Sequence, residues 1–207
     1  MITLFALPIS VHSAKVRLAL RIKGIPFKEL SPPNGYGSGE YRSLIPSGTI
    51  PAIATDEGNL FESEAIIEYV EERWPDPPLL PKAYYLRAFA RSGSRYHDTR
   101  IEPIVRSLFP FVGNQGSHIE KYKEAAKLLK DRLLRLLESH LPGPYLAGNE
   151  LTLADLAYPS TLMMAETILA HGGAKLEIPL KLEEWQKLLM ADARIFHQVE
   201  NVNIALD

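Results

Sequence analysis

Residues 45–67 read IPSGTIPAIATDEGNLFESEAII and contain two short apolar runs followed by a helical pattern. Ala52 to Thr55 and Asn59 to Phe61 flank Asp56-Glu57-Gly58, a turn sequence typical of a β-hairpin. From Ser63 to Trp74 the apolar residues recur at helical spacing, which predicts an amphipathic helix. The stretch therefore predicts two antiparallel strands and a helix in direct succession.

The residues before this stretch predict a strand, a helix and a second strand. The strands are expected at Ile2 to Leu7 and Phe27 to Leu30, and the helix at Ser10 to Lys23. Residues 31–39, rich in Pro, Gly and Ser, predict a loop. A strand–helix–strand connection gives a parallel pair, to which the hairpin adds an antiparallel pair. This order is the thioredoxin-like arrangement.

A proline-rich segment, PDPPLLP at residues 75–81, separates this part from the rest of the chain. We expect the domain boundary there, with one domain at residues 1–80 and a second at residues 81–207. The second domain is predicted to contain helices only, over residues 82–109, 118–140, 151–169 and 181–206. Breaks are expected at Pro103 and Pro110. The predicted fold is an α/β thioredoxin-like N-terminal domain followed by an all-α C-terminal domain.

The amino-acid composition limits the classes of function that the protein can have. The chain of 207 residues has 46% hydrophobic and 23% charged residues and a net charge of −2, which gives no reason to expect nucleic acid as a partner. It has no cysteine, so any thiol chemistry must use the thiol of another molecule. The histidines form no metal-binding pair, and we expect no metal. No leader and no apolar run of about 20 residues is recognised, so a cytoplasmic location without membrane contact is expected.

Two segments could hold an extended peptide. If the Ile50–Pro51 bond is cis, Ile50 turns its N–H and C=O outward for an added strand, whereas a trans bond would simply end a loop. Ser63 is expected at the N-cap of the following helix, whose free N–H groups would attract a carboxylate. Glu62 beside it could take an ammonium group, so the pair suits a zwitterionic head group; an ordinary cap beside a solvated acid is the alternative.

The turn PISVHSAKVR at residues 8–17 lies where a thioredoxin-like fold presents its chemistry. A serine hydroxyl at a helix N-terminus can donate to a bound thiolate and lower the pKa of that thiol. Ser10 and Ser13 are both candidates, and simple helix capping is the alternative for either.

These segments occur in an order that resembles the cytosolic glutathione transferases. The matching motifs are SVHSAKVRLAL at 10–20, GIPF at 24–27, PSGTIP at 46–51, ESEAIIEY at 62–69 and LTLAD at 151–155. The resemblance implies that Ile50 bonds the cysteine backbone of glutathione, with Thr49 and Pro51 beside it among the glutathione-binding residues. It assigns the γ-glutamyl end to Glu62 and Ser63, and the thiol to Ser10, with Ser13 as second choice. The chain resembles the serine-type classes (zeta, tau and theta-like) and bacterial members.

The resemblance also implies the reaction and the partners. Glutathione would be the co-substrate, and its thiolate would add to a small hydrophobic electrophile, as in detoxification. The alternatives are a zeta-like cis–trans isomerase of maleyl compounds and a non-catalytic binding or assembly module. Homodimers are expected from the family. Five residues are expected at the electrophile pocket: Pro8, Tyr96, Arg100, Ile104 and Phe111.

Overall fold

The structure is a computed structural model that describes residues 1–113, 118–139 and 143–205. Its N-terminal part contains one sheet of four strands in the order β2-β1-β3-β4. The first and second strands pair in parallel, and the other neighbours are antiparallel. This confirms the predicted thioredoxin-like sheet. The strands are β1 Ile2–Phe5, β2 Phe27–Leu30, β3 Ala52–Ala54 and β4 Asn59–Phe61.

Three helices accompany the sheet: α1 Val11–Ile22, α2 Gly39–Leu44 and α3 Ser63–Arg73. α1 and α3 pack on the sheet, and the side chains of Leu4, Ile53 and Ile66 between them are completely buried. α2 was not predicted, because its six residues carry a single buried side chain, Tyr41. Ser38 caps α2 by accepting a hydrogen bond from the N–H of Tyr41.

The rest of the described chain is helical. Its helices are α4 Tyr84–Tyr96, α5 Glu102–Arg106, α6 Ile119–Ser139, α7 Leu153–Leu156, α8 Tyr158–His171, α9 Leu180–Met190 and α10 Ala193–Ile204. A wide π-type turn at His97–Ile101 joins α4 to α5. Pro103 follows it, and the missing N–H and bulky ring of a proline explain why a regular helix is interrupted one turn earlier. The ends of two predicted helices, residues 140 and 206, lie outside the described residues.

The single helix predicted over residues 151–169 is wrong, because the structure has two helices that meet at Ala157. Pro159 lies in the first turn of α8, where its missing N–H costs nothing, instead of bending a longer helix. Thr152 and Asp155, which belong to the LTLAD motif, form a capping box at α7. The buried Asp155 carboxylate accepts bonds from the Thr152 N–H at 2.9 Å and from the indole of Trp185 at 3.0 Å.

A close contact between α4 and α7 fixes the direction of α4 across the molecule. A Cβ atom at Gly93 would lie 3.1 Å from the Cβ of Ala154, so a larger residue would push the helices apart. The hydroxyl of Tyr158 donates to the carbonyl of Gly93 at 2.8 Å. The second half of α4 is thereby held against α7.

Candidate functional site

Ser10 and Ser13 are hydrogen bonded to each other at the start of α1. Ser10 is the N-cap, and its Oγ accepts from the N–H of Ser13 at 3.1 Å and from the Ser13 hydroxyl at 3.0 Å. Ser13 is completely buried, whereas Ser10 is half-buried. The proton of the Ser10 hydroxyl therefore has no acceptor among the described residues and remains available to donate.

Arg17, a buried residue of α1, fixes the turn before Ser10 through a hydrogen bond. The carbonyl of Leu7 accepts both the N–H of Ser10 at 3.1 Å and the guanidinium of Arg17 at 2.9 Å. Arg17 is buried and also pairs with Glu29 on β2 at 2.7 Å. The position of Ser10 is thus tied to both the helix and the sheet.

The Ile50–Pro51 peptide bond is cis. Neither the N–H nor the C=O of Ile50 forms a hydrogen bond to any residue that the structure describes. The preceding carbonyl, that of Thr49, accepts from the hydroxyl of Tyr41 at 2.9 Å. Burial raises the pKa of Tyr41 to about 12, so this donor keeps its proton. The segment therefore presents an unpaired main-chain donor and acceptor from a fixed support.

Glu62, and not Ser63 as predicted, occupies the N-cap position of α3. Its φ of 68° lies in the left-handed region, which a non-glycine residue adopts at an energetic cost and often at functional sites. No side chain caps this helix. Since the first bond of the helix runs from Ile66 to the carbonyl of Glu62, the N–H groups of residues 63–65 have no partner in the described chain.

These features meet in one cleft of about 370 Å³ between the sheet region and α4. It is lined by His12, Tyr36, Thr49, Ile50, Pro51, Glu62, Ser63, Arg95, Asp98, Thr99 and Arg106. The structure thus brings together all five residues expected to bind glutathione. Ser10 and Ser13 do not line the cleft, but His12, two positions after Ser10, does.

A buried lysine connects the helices behind the cleft. The Lys15 ammonium group is completely buried and lies 2.8 Å from Asp98 and 2.5 Å from Glu64. Glu64 also accepts from the hydroxyl of Ser94 at 2.7 Å. A lysine in a dry interior must be paired with carboxylates, so these contacts hold α1, α3 and the wide turn together.

His97 and His12, which both face Asp98, complete this cluster. His97 is completely buried, and it contacts Asp98 at 2.8 Å and the hydroxyl of Thr161 at 2.7 Å. Burial lowers the pKa of His97 below its usual value. Burial opposes ionisation of Asp98, but the neighbouring imidazoles and Lys15 outweigh it and hold its pKa well below the usual range. Asp98 is therefore an ionised group at neutral pH.

The five residues expected at the electrophile pocket do not line the cleft. Arg100, Ile104 and Phe111 line a separate cavity of about 530 Å³ between α5 and α6, and Thr99 borders both spaces. Tyr96 points to α6, where its hydroxyl donates to the carbonyl of Arg132 at 3.1 Å. Pro8 is exposed on the turn before α1 and borders neither space.

Sequence reasoning expected the stretch after the linker to face the site, but it chose Tyr96 and Arg100 from it and missed Arg95 and Thr99, which line the cleft. It also missed the buried lysine behind the cleft. Lys15 carried a readable signal, because it occupies the same helical face as Val11, Leu18 and Ile22, which are all buried. A charged residue on such a face predicts a buried partner. Arg95 and Thr99 carried no such signal, because only the packing of α4 brings them to the cleft.

Within the described ranges, no group of three or more His, Asp or Glu side chains is arranged to hold a metal ion. None of the described helices is both long and apolar enough to cross a membrane.

A thioredoxin-like sheet region followed by a helical region, with a polar cleft between them, defines the class of fold. Two family models match the chain, the glutathione S-transferase N-terminal domain at residues 4–78 and the C-terminal domain at residues 100–188. The chain belongs to the glutathione S-transferase family.

Relatives and solved structures agree with this assignment. A glutathione S-transferase of Pseudomonas putida is 30% identical, over 81% of this chain and 76% of its own. A maleylacetoacetate isomerase of Dictyostelium discoideum is 31% identical, over 74% of each chain. The theta class glutathione S-transferase of Xanthomonas axonopodis pv. citri, solved with glutathione bound, is 20% identical with a TM-score of 0.79 over 96% of each chain, a likeness of fold.

Proposed function

We propose that the cleft binds glutathione and that the protein transfers the glutathione thiolate to an electrophile. The observation that carries this proposal is the meeting of Ile50, Glu62 and Ser63 in one cleft beside the N-terminus of α1. In this proposal residues 1–80 bind glutathione, and residues 81–207 supply the wall that faces the electrophile.

The unpaired main-chain groups support a definite orientation of glutathione. Its γ-glutamyl carboxylate would accept the free N–H groups at the start of α3, where the helix dipole favours a negative charge. Its ammonium group would pair with Glu62. Its cysteine backbone would bond to the N–H and C=O of Ile50, next to Thr49 and Pro51, as an added strand does.

Ser10 is the proposed donor to the thiolate, and Ser13 is the proposed support. Ser13 already gives its hydroxyl proton to Ser10, whereas the proton of Ser10 is free. A hydroxyl that accepts two hydrogen bonds is polarised and becomes a better donor. Donation to the thiolate stabilises the charged form and lowers the pKa of the glutathione thiol.

Two spaces are available to the electrophile. The cavity lined by Ile104 and Phe111 suits the apolar part of a small hydrophobic electrophile, and Thr99 connects its rim to the cleft. Arg95 and Arg106, by contrast, line the cleft itself with side chains that are more than half exposed. Two guanidinium groups at this place favour a second candidate function, isomerisation of a maleyl compound with carboxylate groups, as in the isomerase relative.

Calorimetric titration with glutathione, followed by turnover assays, tests the proposal. We expect saturable binding, and no binding of cysteinylglycine, which lacks the γ-glutamyl group. Conjugation of chlorodinitrobenzene would support the transferase, and turnover of maleylpyruvate with weak conjugation would support the isomerase. The absence of glutathione binding would contradict both and leave a non-catalytic module. By family resemblance we also propose a cytoplasmic homodimer.

A further inference from the structure

His12 lines the cleft, but the proposed function assigns it no role. It is the second residue of α1, two positions after Ser10, and it lines the same cleft as Ile50 and Ser63. Its side chain is 22% exposed, so one edge of the ring is accessible from the cleft. A group that reaches solvent here would lie near a molecule bound against Ile50.

Two carboxylates flank the His12 ring without forming hydrogen bonds to it. Nδ1 lies 3.5 Å from Asp98, and Nε2 lies 3.6 Å from Glu102. Nδ1 is buried and has no hydrogen-bond partner among the described residues. The carboxylates therefore attract a positive imidazolium, but they do not tie up its N–H protons.

The surrounding charges favour the protonated ring. The groups that face it are Lys15 on α1, Asp98 and the ring of His97 on the wide turn, Glu102 and Arg106 on α5, and Arg95 behind Asp98 on α4. Burial by itself would lower the pKa of His12, but the two carboxylates outweigh it and raise the pKa above the usual 6.5.

The other ionisable groups around the ring are poorly suited to give up a proton. Arg95 and Arg106 do not deprotonate in proteins. Asp98 and Glu102 have lowered pKa values: burial opposes ionisation of both, but their cationic neighbours outweigh it, so neither carboxylate holds a proton at neutral pH. Among the residues described along the cleft, His12 is the only imidazole.

We propose that His12 is a catalytic general acid, which protonates the enolate formed when glutathione adds to an α,β-unsaturated carbonyl compound. The thiolate forms the new C–S bond, and the electron pair of the C=C bond moves into the enolate. The Nε2–H of His12 then transfers its proton to the α-carbon, the ring becomes neutral, and solvent restores the proton. This role rests on the proposed function, because it needs glutathione in the cleft.

The proposal separates two kinds of electrophile. Addition to an enone requires a proton at carbon, whereas substitution on an aryl halide expels a halide ion and requires none. General acids contribute about a hundredfold or more to rates. We therefore expect His12→Gln to lower kcat for benzylideneacetone, an enone, by about a hundredfold. In the same variant, the ratio of kcat for benzylideneacetone to kcat for chlorodinitrobenzene should fall by about a hundredfold, because only the enone reaction takes up the proton.

The pH dependence gives a second readout. The acid form of His12 persists up to its raised pKa and is lost above it. Turnover of the enone by the wild-type protein should therefore fall as the pH rises through that pKa. Turnover of the aryl halide should lack this basic limb, and the limb should disappear from the residual enone activity of His12→Gln. The matched control is His197→Gln, an exposed histidine 3.6 Å from Glu200 on α10, which should behave as wild type.

Each remaining outcome contradicts the proposal in a different way. An equal loss with both electrophiles would place His12 in thiolate formation or in folding and would overturn its role as an acid. Unchanged turnover of the enone would also overturn it. Wild-type protein that binds no glutathione would remove the proposed function and this role with it. Wild-type protein that binds glutathione and conjugates only the aryl halide would overturn this role alone.

Discussion

Two lysines on α1 and at its C-terminal end carry buried charges, and the partners that compensate the two charges differ. Lys15 lies in the first half of α1, near the cleft, and Lys23 caps its C-terminal end; both side chains are completely buried. Lys15 is paired with two carboxylates, those of Glu64 and Asp98. Lys23 is paired with one carboxylate, that of Glu71 at 2.7 Å, and with two main-chain carbonyls.

The partners of Lys23 show which part of the chain its ion-pair cluster holds in place. The carbonyls that accept from Lys23 belong to Trp74 and Pro77 in the connection between the two regions. Glu71 accepts from the N–H groups of Leu79 and Leu80 in the same connection. This cluster fixes the path of the chain and lies away from the cleft.

The partners of Lys15 belong instead to elements that form the cleft. Asp98 lines it directly, and Glu64 is the second residue of α3, next to Ser63. The comparison teaches that a buried ion pair becomes relevant to function through the elements that it joins. The cluster at Lys15 joins the helix of Ser10 to the proposed γ-glutamyl site, whereas the cluster at Lys23 joins α1 to a linker.

The largest expected effect follows removal of either lysine. Lys15→Met leaves the half-buried carboxylates of Glu64 and Asp98 without their shared cation and should cost about 3–5 kcal/mol of the free energy of unfolding. Lys23→Met should lie at the lower end of that range, because Glu71 keeps two N–H donors. Urea denaturation of both variants measures the difference.

Glutathione affinity separates the two lysines further. In the folded protein Lys15→Met should bind glutathione about tenfold more weakly, which corresponds to 1.4 kcal/mol, since the start of α3 loses its anchor. Lys23→Met should retain the wild-type Kd. Equal affinities in the two variants would contradict the functional distinction between the clusters.

A smaller effect is expected when one carboxylate is changed. Glu64→Gln leaves Lys15 paired with Asp98 and should cost about 1.5–3 kcal/mol, the range for a hydrogen bond to a charged group. Glu71→Gln leaves Lys23 with main-chain carbonyls alone and should cost more. Thermal and urea unfolding of this matched pair test the ranking. A greater loss in Glu64→Gln would show that the second carboxylate does not share the charge of Lys15.

The regular elements of the first region could be predicted, because local patterns determine them. Strand alternation, helical spacing and the turn residues at Gly24 and Gly58 place β1 to β4, α1 and α3 within a few residues. α2 could not be predicted in this way, because only Tyr41 is buried in it and its support comes from the distant Thr49 carbonyl. The split between α7 and α8 could not be predicted either, because a proline inside an apolar helical run is compatible with both a bend and a helix start.

The candidate site was predictable residue by residue on the wall formed by the sheet region, whereas on the wall formed by the helices only the stretch of chain was predictable. Ile50, Glu62 and Ser63 lie in short motifs whose meaning is local, and the structure brings them together. Arg95 lies on α4 and Arg106 on α5. The direction of α4 depends on Gly93 packing against α7, and that contact between distant residues has no local pattern. The left-handed backbone of Glu62 likewise depends on the surrounding structure.

The pKa of the bound glutathione thiol tests the central claim most directly. It is measured from the ultraviolet absorbance of the thiolate across a pH series, in wild type, Ser10→Ala and Ser13→Ala. We expect a lowered pKa in wild type and a rise of about one to two units in Ser10→Ala, since one hydrogen bond to a charged group is lost. Ser13→Ala should give a smaller rise, because Ser13 acts through Ser10. An unchanged thiol pKa in Ser10→Ala would contradict the assignment of the thiolate to the N-terminus of α1.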